Sequence, residues 1–110
     1  MGLIYGLAST SDAQHFRYVG YSKTKISYSV RLEGHLKDAK NDSVWNVHQW
    51  IRKELEQGFE IKQTLLQERV AKYYEAIWAY VLFAKGHKLL NRTFSAIANN
   101  LPEVNRWAKR

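Results

Sequence analysis

A chain of 110 residues with 45% hydrophobic and 14% aromatic side chains can bury one modest core, which favours a single folded domain over disorder. It contains no cysteine, so disulfides, thiolate zinc sites and cysteine nucleophiles are excluded together. Lys and Arg number 17 against 10 Asp and Glu, a formal charge of +7 with a pI near 9.7, and that balance suits a polyanionic partner such as nucleic acid or an acidic membrane surface.

Met1 to Gly6 reads as a first strand, short, aliphatic and aromatic, and closed by glycine. Leu7 to Gln14, with Ser9, Thr10, Ser11 and Asp12, reads as a polar connecting loop, and His15 to Tyr21 as the returning strand of a hairpin. Tyr5 and Tyr18 then offer one phenol from each strand. Ser22-Lys23-Thr24-Lys25 is a basic, hydroxyl-rich turn able to cap the next helix, and Lys23 and Lys25 are candidates for phosphate contact.

From Ile26 to Lys40 the apolar positions Tyr28, Leu32, Leu36 and Ala39 follow a helical stripe. Arg31 and His35 flank it, four positions apart and therefore one turn apart on one face. Asn41-Asp42-Ser43 punctuates the chain before a second helix, about Val44 to Gln57. Its apolar face is Val44, Val47, His48, Ile51 and Leu55, with His48 read as structural and Gly58 as the stop. Trp45 and Trp50 fall off that stripe, as packing partners or as platforms for stacked bases.

Phe59 to Glu68 alternates as a third strand, with Phe59, Ile61 and Leu65 on one side. A third helix is expected from Arg69 to Lys85. It is apolar almost all round, with Val70, Tyr74, Ile77 and Val81 spaced for burial, so it should be largely covered. Glu75 is the only charged residue between Tyr73 and Ala84, and a carboxylate there needs a partner, a proton or a metal. Leu89-Leu90-Asn91 re-enters the core. Residues 1–92 form the expected domain, and 93–110 an extension with a short helix and a basic tail.

No basic region followed by an apolar stretch marks a secretory signal, and the apolar segment Ala76 to Ala84 is about half the length a membrane span needs. An intracellular, cytoplasmic protein without membrane association is expected. The fold class is α+β: a small three-stranded, mainly antiparallel sheet flanked by helices, in the order β-β-α-α-β-α.

Tyr5 in Ile-Tyr, Tyr18 in Tyr-Val-Gly, the Arg31 and His35 pair, the lone helical Glu75 and a later Asn91 resemble, in that order, the GIY-YIG nuclease superfamily. The similarity runs from Leu3 to Asn91 and departs from the family pattern where Gly2 is followed by Leu3 before Ile4-Tyr5. The resemblance implies a metal-dependent DNA endonuclease that hydrolyses a phosphodiester by water attack and leaves a 5′-phosphate. It also implies that Tyr5, Tyr18, Arg31, His35 and Glu75 form the site, and that Asn91 holds Glu75 or a backbone phosphate.

These residue types can divide such chemistry. A hydrolase of phosphodiesters must neutralise charge, position a water and stabilise a leaving oxygen. Glu75 suits Mg²⁺ (or Mn²⁺), a hard cation that keeps most of its waters. Arg31 supplies a fork of donors to phosphate oxygens. Tyr5 would orient or deprotonate the water, with His35 or Arg31 lowering its pKa, and Tyr18 would donate to the phosphate or to Tyr5. The expected partner is DNA, with RNA left open, and a homodimer or a separate targeting domain or protein would supply specificity, since no zinc finger or helix-turn-helix signature is present. Two other readings stand beside the nuclease: a non-catalytic nucleic-acid-binding module, for which Glu75 is expendable, and a small protein-interaction domain with Glu75 in a buried ion pair.

Overall fold

The computed structural model describes residues 1–91. Its elements are β1 (Gly2–Ser9), a single 3-10 turn (Thr10–Asp12), β2 (Tyr18–Ser22), α1 (Lys25–Lys40), α2 (Asn46–Glu56), β3 (Ile61–Val70) and α3 (Tyr74–Ala84). This is the expected α+β domain with the order β-β-α-α-β-α. The sheet has the order β2-β1-β3, and both pairings are antiparallel.

The first strand is central and every residue of it is buried, because both faces of the sheet are covered. Tyr5 and Leu7 pack with Ala39 of α1 and with Val47, Trp50 and Ile51 of α2. Ile4, pointing the other way as strand alternation requires, packs with Val19, Ala79 and Leu82 under α3. Such burial carries β1 past Gly6, and the polar loop expected from Leu7 begins only at Thr10. Leu7 is fully buried and paired with Tyr18 and Gln63. The turn starts where the Ser9 hydroxyl accepts the Ser11 N–H at 3.2 Å.

The second strand starts at Tyr18 rather than His15. The third is displaced two residues later than its alternation suggests and is irregular. Between the Gly2–Val70 and Tyr5–Leu65 pairs it carries two more residues than β1, with Arg69 in the left-handed region at φ 57°. Leu65, expected on the buried side, is accordingly exposed.

The first helix begins as its turn chemistry predicts: Thr24 Oγ1 accepts the Ser27 N–H at 3.0 Å. Tyr28, Leu32, Leu36 and Ala39 lie against the sheet. Gly58 and Gly86 follow α2 and α3 with φ of +87° and +95°, the left-handed conformation that ends a helix at little steric expense.

The third helix corrects two expectations. It starts at Tyr74 rather than Arg69, and among the described residues only one side of it is covered, with Tyr74, Trp78, Ala79 and Leu82 on the sheet. Ile77 and Val81, expected to be buried, are exposed, as are Tyr73 and Tyr80. Leu89 and Asn91 do return to the interior. The short helix and basic tail expected in 93–110 lie outside the described residues. No helix among the described residues is long and apolar enough to cross a membrane.

Candidate active site

Tyr5 stands opposite Gly20 across the β1–β2 ladder, and its ring fills the space that a side chain at Gly20 would take. The glycine of Tyr-Val-Gly therefore makes room for the phenol donated by the neighbouring strand. Tyr18, two residues earlier on β2, places its ring 6.3 Å from that of Tyr5, centroid to centroid. The α1 helix crosses the same face and brings in Arg31 and His35, as their spacing requires.

The Tyr5 hydroxyl is the hub. It lies 2.9 Å from His35 Nε2 and accepts a hydrogen bond from Arg31 Nε at 3.4 Å. His35 Nδ1 faces His48 Nε2 at 3.1 Å, and His48 Nδ1 faces Ser43 Oγ at 2.6 Å. Both ring nitrogens of His35 are thus engaged by protein groups. A cleft of about 460 Å³ opens beside this chain, lined among others by Tyr18, Arg31, His35, Ser43, Trp45 and His48.

Burial redistributes the expected roles. Tyr5 is 0% exposed and does not line the cleft, so the expectation that it meets the attacking water is corrected; Tyr18, half-buried, is the phenol at the cleft wall. Arg31 does act to lower the Tyr5 pKa, as expected, but it is outweighed. Burial first, then the neighbouring Tyr18, push the Tyr5 phenol up, and the hydrogen bond and charge of Arg31 only partly offset them. Burial and the Glu75 charge likewise push Tyr18 up, against Arg31 and the Tyr5 hydroxyl. His35 is held neutral, its pKa lowered to about 4 by burial, by His48 and by Arg31. Burial lowers His48 as well. Arg31 stays cationic, favoured chiefly by its hydrogen bond to Tyr5.

Glu75 sits in the first turn of α3, half-buried, close enough for its charge to act on Arg31, Tyr5 and Tyr18. Burial pushes its carboxyl up, while Lys72 and Arg31 pull it back. It makes no hydrogen bond or ion pair among the described residues, so this carboxylate retains its acceptor capacity. No three His, Asp or Glu side chains gather among the described residues. The donor set at Glu75 is one carboxylate, which fits Mg²⁺ or Mn²⁺ held largely through water and substrate oxygens.

Asn91, Lys23 and Lys25 lie outside the cleft lining. Asn91 does not face Glu75: its Oδ1 accepts the Val19 N–H at 2.9 Å and its Nδ2 donates to the Val19 carbonyl at 2.6 Å, so the amide caps the free edge of β2. Lys23 is exposed and Lys25 pairs loosely with Glu68 at 3.8 Å, and neither lines the cleft. His48, read as structural, bonds to His35 and lines the cleft. The available signal was its place on the apolar face of α2, the face that packs toward α1 and therefore toward His35. Ser43, read as part of the punctuation before α2, was equally hidden, because its partner His48 lies beyond the next helix start.

Comparison with protein-family models, with curated proteins and with solved structures finds no match to this chain.

Proposed function

We propose that the chain is a metal-dependent phosphodiesterase acting on DNA, the activity implied by its resemblance to the GIY-YIG nucleases. The observation that supports this reading is the convergence of side chains from four separate elements, of which Tyr18, Arg31 and His35 line the cleft while Tyr5 lies behind them and Glu75 lies outside its lining. Tyr5 from β1, Tyr18 from β2, and Arg31 and His35 from α1 share one hydrogen-bonded and aromatic cluster, and Glu75 from α3 lies within its electrostatic reach.

In this reading Arg31 directs the free end of its guanidinium at the non-bridging oxygens of the scissile phosphate, while its Nε remains on Tyr5. Tyr18 orients the attacking water from the cleft wall, with Tyr5 fixed behind it by Arg31 and His35. Glu75 presents its carboxylate to a divalent cation. When bound, that cation supplies Lewis-acid stabilisation of the transition state and of the departing 3′ oxygen. The net charge of +7 favours approach of the polyanionic substrate and makes the association salt-dependent.

One observation favours the non-catalytic binding module instead: the Tyr5 phenol is fully enclosed and harder to ionise than a free one. Incubation with supercoiled plasmid, with and without Mg²⁺, separates the two. A phosphodiesterase yields nicked circles only with the cation, and their new ends carry a 5′-phosphate. A binding module retards the plasmid in a gel, more weakly as salt rises, and leaves it supercoiled.

A further inference from the structure

The hydrogen bonds from Tyr5 continue past His35 into a second histidine that the GIY-YIG resemblance does not include. Tyr5 Oη, His35, His48 and Ser43 Oγ form an unbroken chain with separations of 2.9, 3.1 and 2.6 Å. His48 is buried, and the Trp45 ring lies nearly parallel over it, with 10° between the planes. Its two nitrogens touch only His35 and Ser43 among the described residues. Ser43 is half-buried and lines the cleft, so the chain begins in the core at Tyr5 and ends at solvent.

The donors can be ordered. Arg31 Nε–H can only donate, and it donates into Tyr5 Oη; the relay requires that the phenol proton then point at His35 Nε2. A neutral His35 that accepts at Nε2 carries its proton on Nδ1 and gives it to His48 Nε2. A neutral His48 then carries its proton on Nδ1 and gives it to Ser43. Each bond has one proton, all pointing the same way.

We propose that His48 is the exit step of a proton relay that runs from Tyr5 through His35 to Ser43. This proposal rests on the phosphodiesterase reading for its use, since the proton it carries is the one released as water attacks. In one passage Tyr18, the hydrogen-bonded neighbour of Tyr5 at the cleft wall, takes the proton of the water and gives its own to Tyr5 Oη. The Tyr5 O–H bond breaks as a bond forms at His35 Nε2, and the His35 Nδ1–H bond breaks as one forms at His48 Nε2. The His48 Nδ1–H bond then breaks as one forms at Ser43 Oγ, whose own hydroxyl proton leaves to solvent. One proton enters, one leaves, and both rings end as neutral rings of the opposite tautomer. Neither imidazole has to hold a charge beside Arg31 and Arg52, and among the described residues Asp38 is the only acidic group acting on the pair. The Tyr18 ring meets His35 edge-on, and the Trp45 ring stacks on His48.

Nitrogen-15 spectra of the wild type at neutral pH read the direction directly. The relay requires both His35 and His48 to be neutral with the proton on Nδ1. A proton on Nε2 of either ring breaks the order and overturns the proposal, whether or not the protein cleaves DNA. His48→Gln then separates positioning from relay, because a glutamine oxygen can accept from His35 Nδ1–H but cannot pass the proton on. The expected result is a loss of nicking of about 100-fold with unchanged DNA affinity, the low end of what a proton acceptor contributes. The variant should also regain rate as buffer base is raised at constant pH, which the wild type should not. Wild-type nicking by His48→Gln, with the His35 tautomer retained, would reduce His48 to a positioning residue and overturn the relay. If His48→Gln fails to fold, Ser43→Ala gives the same readout one step later. A wild type that shows both tautomers and never nicks counts against the phosphodiesterase reading alone.

Discussion

Tyr5 lies directly over Gly20: the two are cross-strand partners, and the phenol ring occupies the volume that any side chain at Gly20 would need. Gly20→Ala must therefore move either the strand or the phenol. Overpacking of this kind costs about 1–3 kcal/mol, and here it also pulls Tyr5 Oη away from His35. Urea denaturation should show the loss of stability, and nicking by the folded fraction should fall as well.

Asn91 should behave in the opposite way. It satisfies the backbone N–H and carbonyl of Val19 on the edge of β2, and Val19 is itself fully buried. Asn91→Ala leaves two buried backbone groups unpaired, at about 1–3 kcal/mol for such a loss. Denaturation should report this, while nicking per folded molecule should stay near the wild-type rate.

Arg31→Lys keeps the charge and removes the fork. Arg31 is exposed, so the stability change should stay within about 0.5 kcal/mol. Nicking should fall by about 100-fold, the scale of losing one preorganised donor to the phosphate. Single-turnover rates at saturating protein distinguish this from weaker binding.

Acid should weaken the fold before the carboxylates titrate. The folded pKa of His35, lowered to about 4, lies below its unfolded value near 6.5, so the unfolded chain binds more protons between those two pH values. The stability that His35 contributes is therefore present above about pH 6.5 and is lost as pH falls toward about 4, by up to about 3 kcal/mol. His48, also lowered, acts in the same direction, and Glu75, whose carboxyl is raised, acts against them at its own titration. Urea midpoints between pH 4.5 and 7 should show this slope, and His35→Gln should flatten it.

The resemblance and the residue pattern carried the element order, the meeting of the two strand tyrosines, and the placement of Arg31 and His35 on one turn of α1. All of these follow from local periodicity and from spacing along one element. What was not legible depends on covering. β1 runs on to Ser9 because both sheet faces are packed, which no property of Leu7-Ala8-Ser9 announces. The shift of β3 comes from two extra residues and a left-handed Arg69. Tyr5 and Tyr18 read alike as strand phenols, yet the central position of β1 buries the first, while the edge position of β2 leaves the second at the cleft. The apolar surface of α3 suggested a largely covered helix, but among the described residues a small sheet covers only one side of it. His48 was masked by its neighbours: on an apolar face, an imidazole bonded to another imidazole has the same sequence signature as a packed one.

The most direct measurement compares the wild type with Glu75→Gln in Mg²⁺-dependent nicking of supercoiled plasmid, both shown folded by their denaturation curves. The substitution keeps the size of the side chain and removes the charge, and burial already disfavours that charge, so folding should be unimpaired. A metal-dependent site centred on Glu75 predicts nicking by the wild type only when Mg²⁺ is present, and a loss of at least about 100-fold in Glu75→Gln. A folded wild type that binds plasmid without nicking it, or a Glu75→Gln variant that nicks as fast as the wild type, would contradict it.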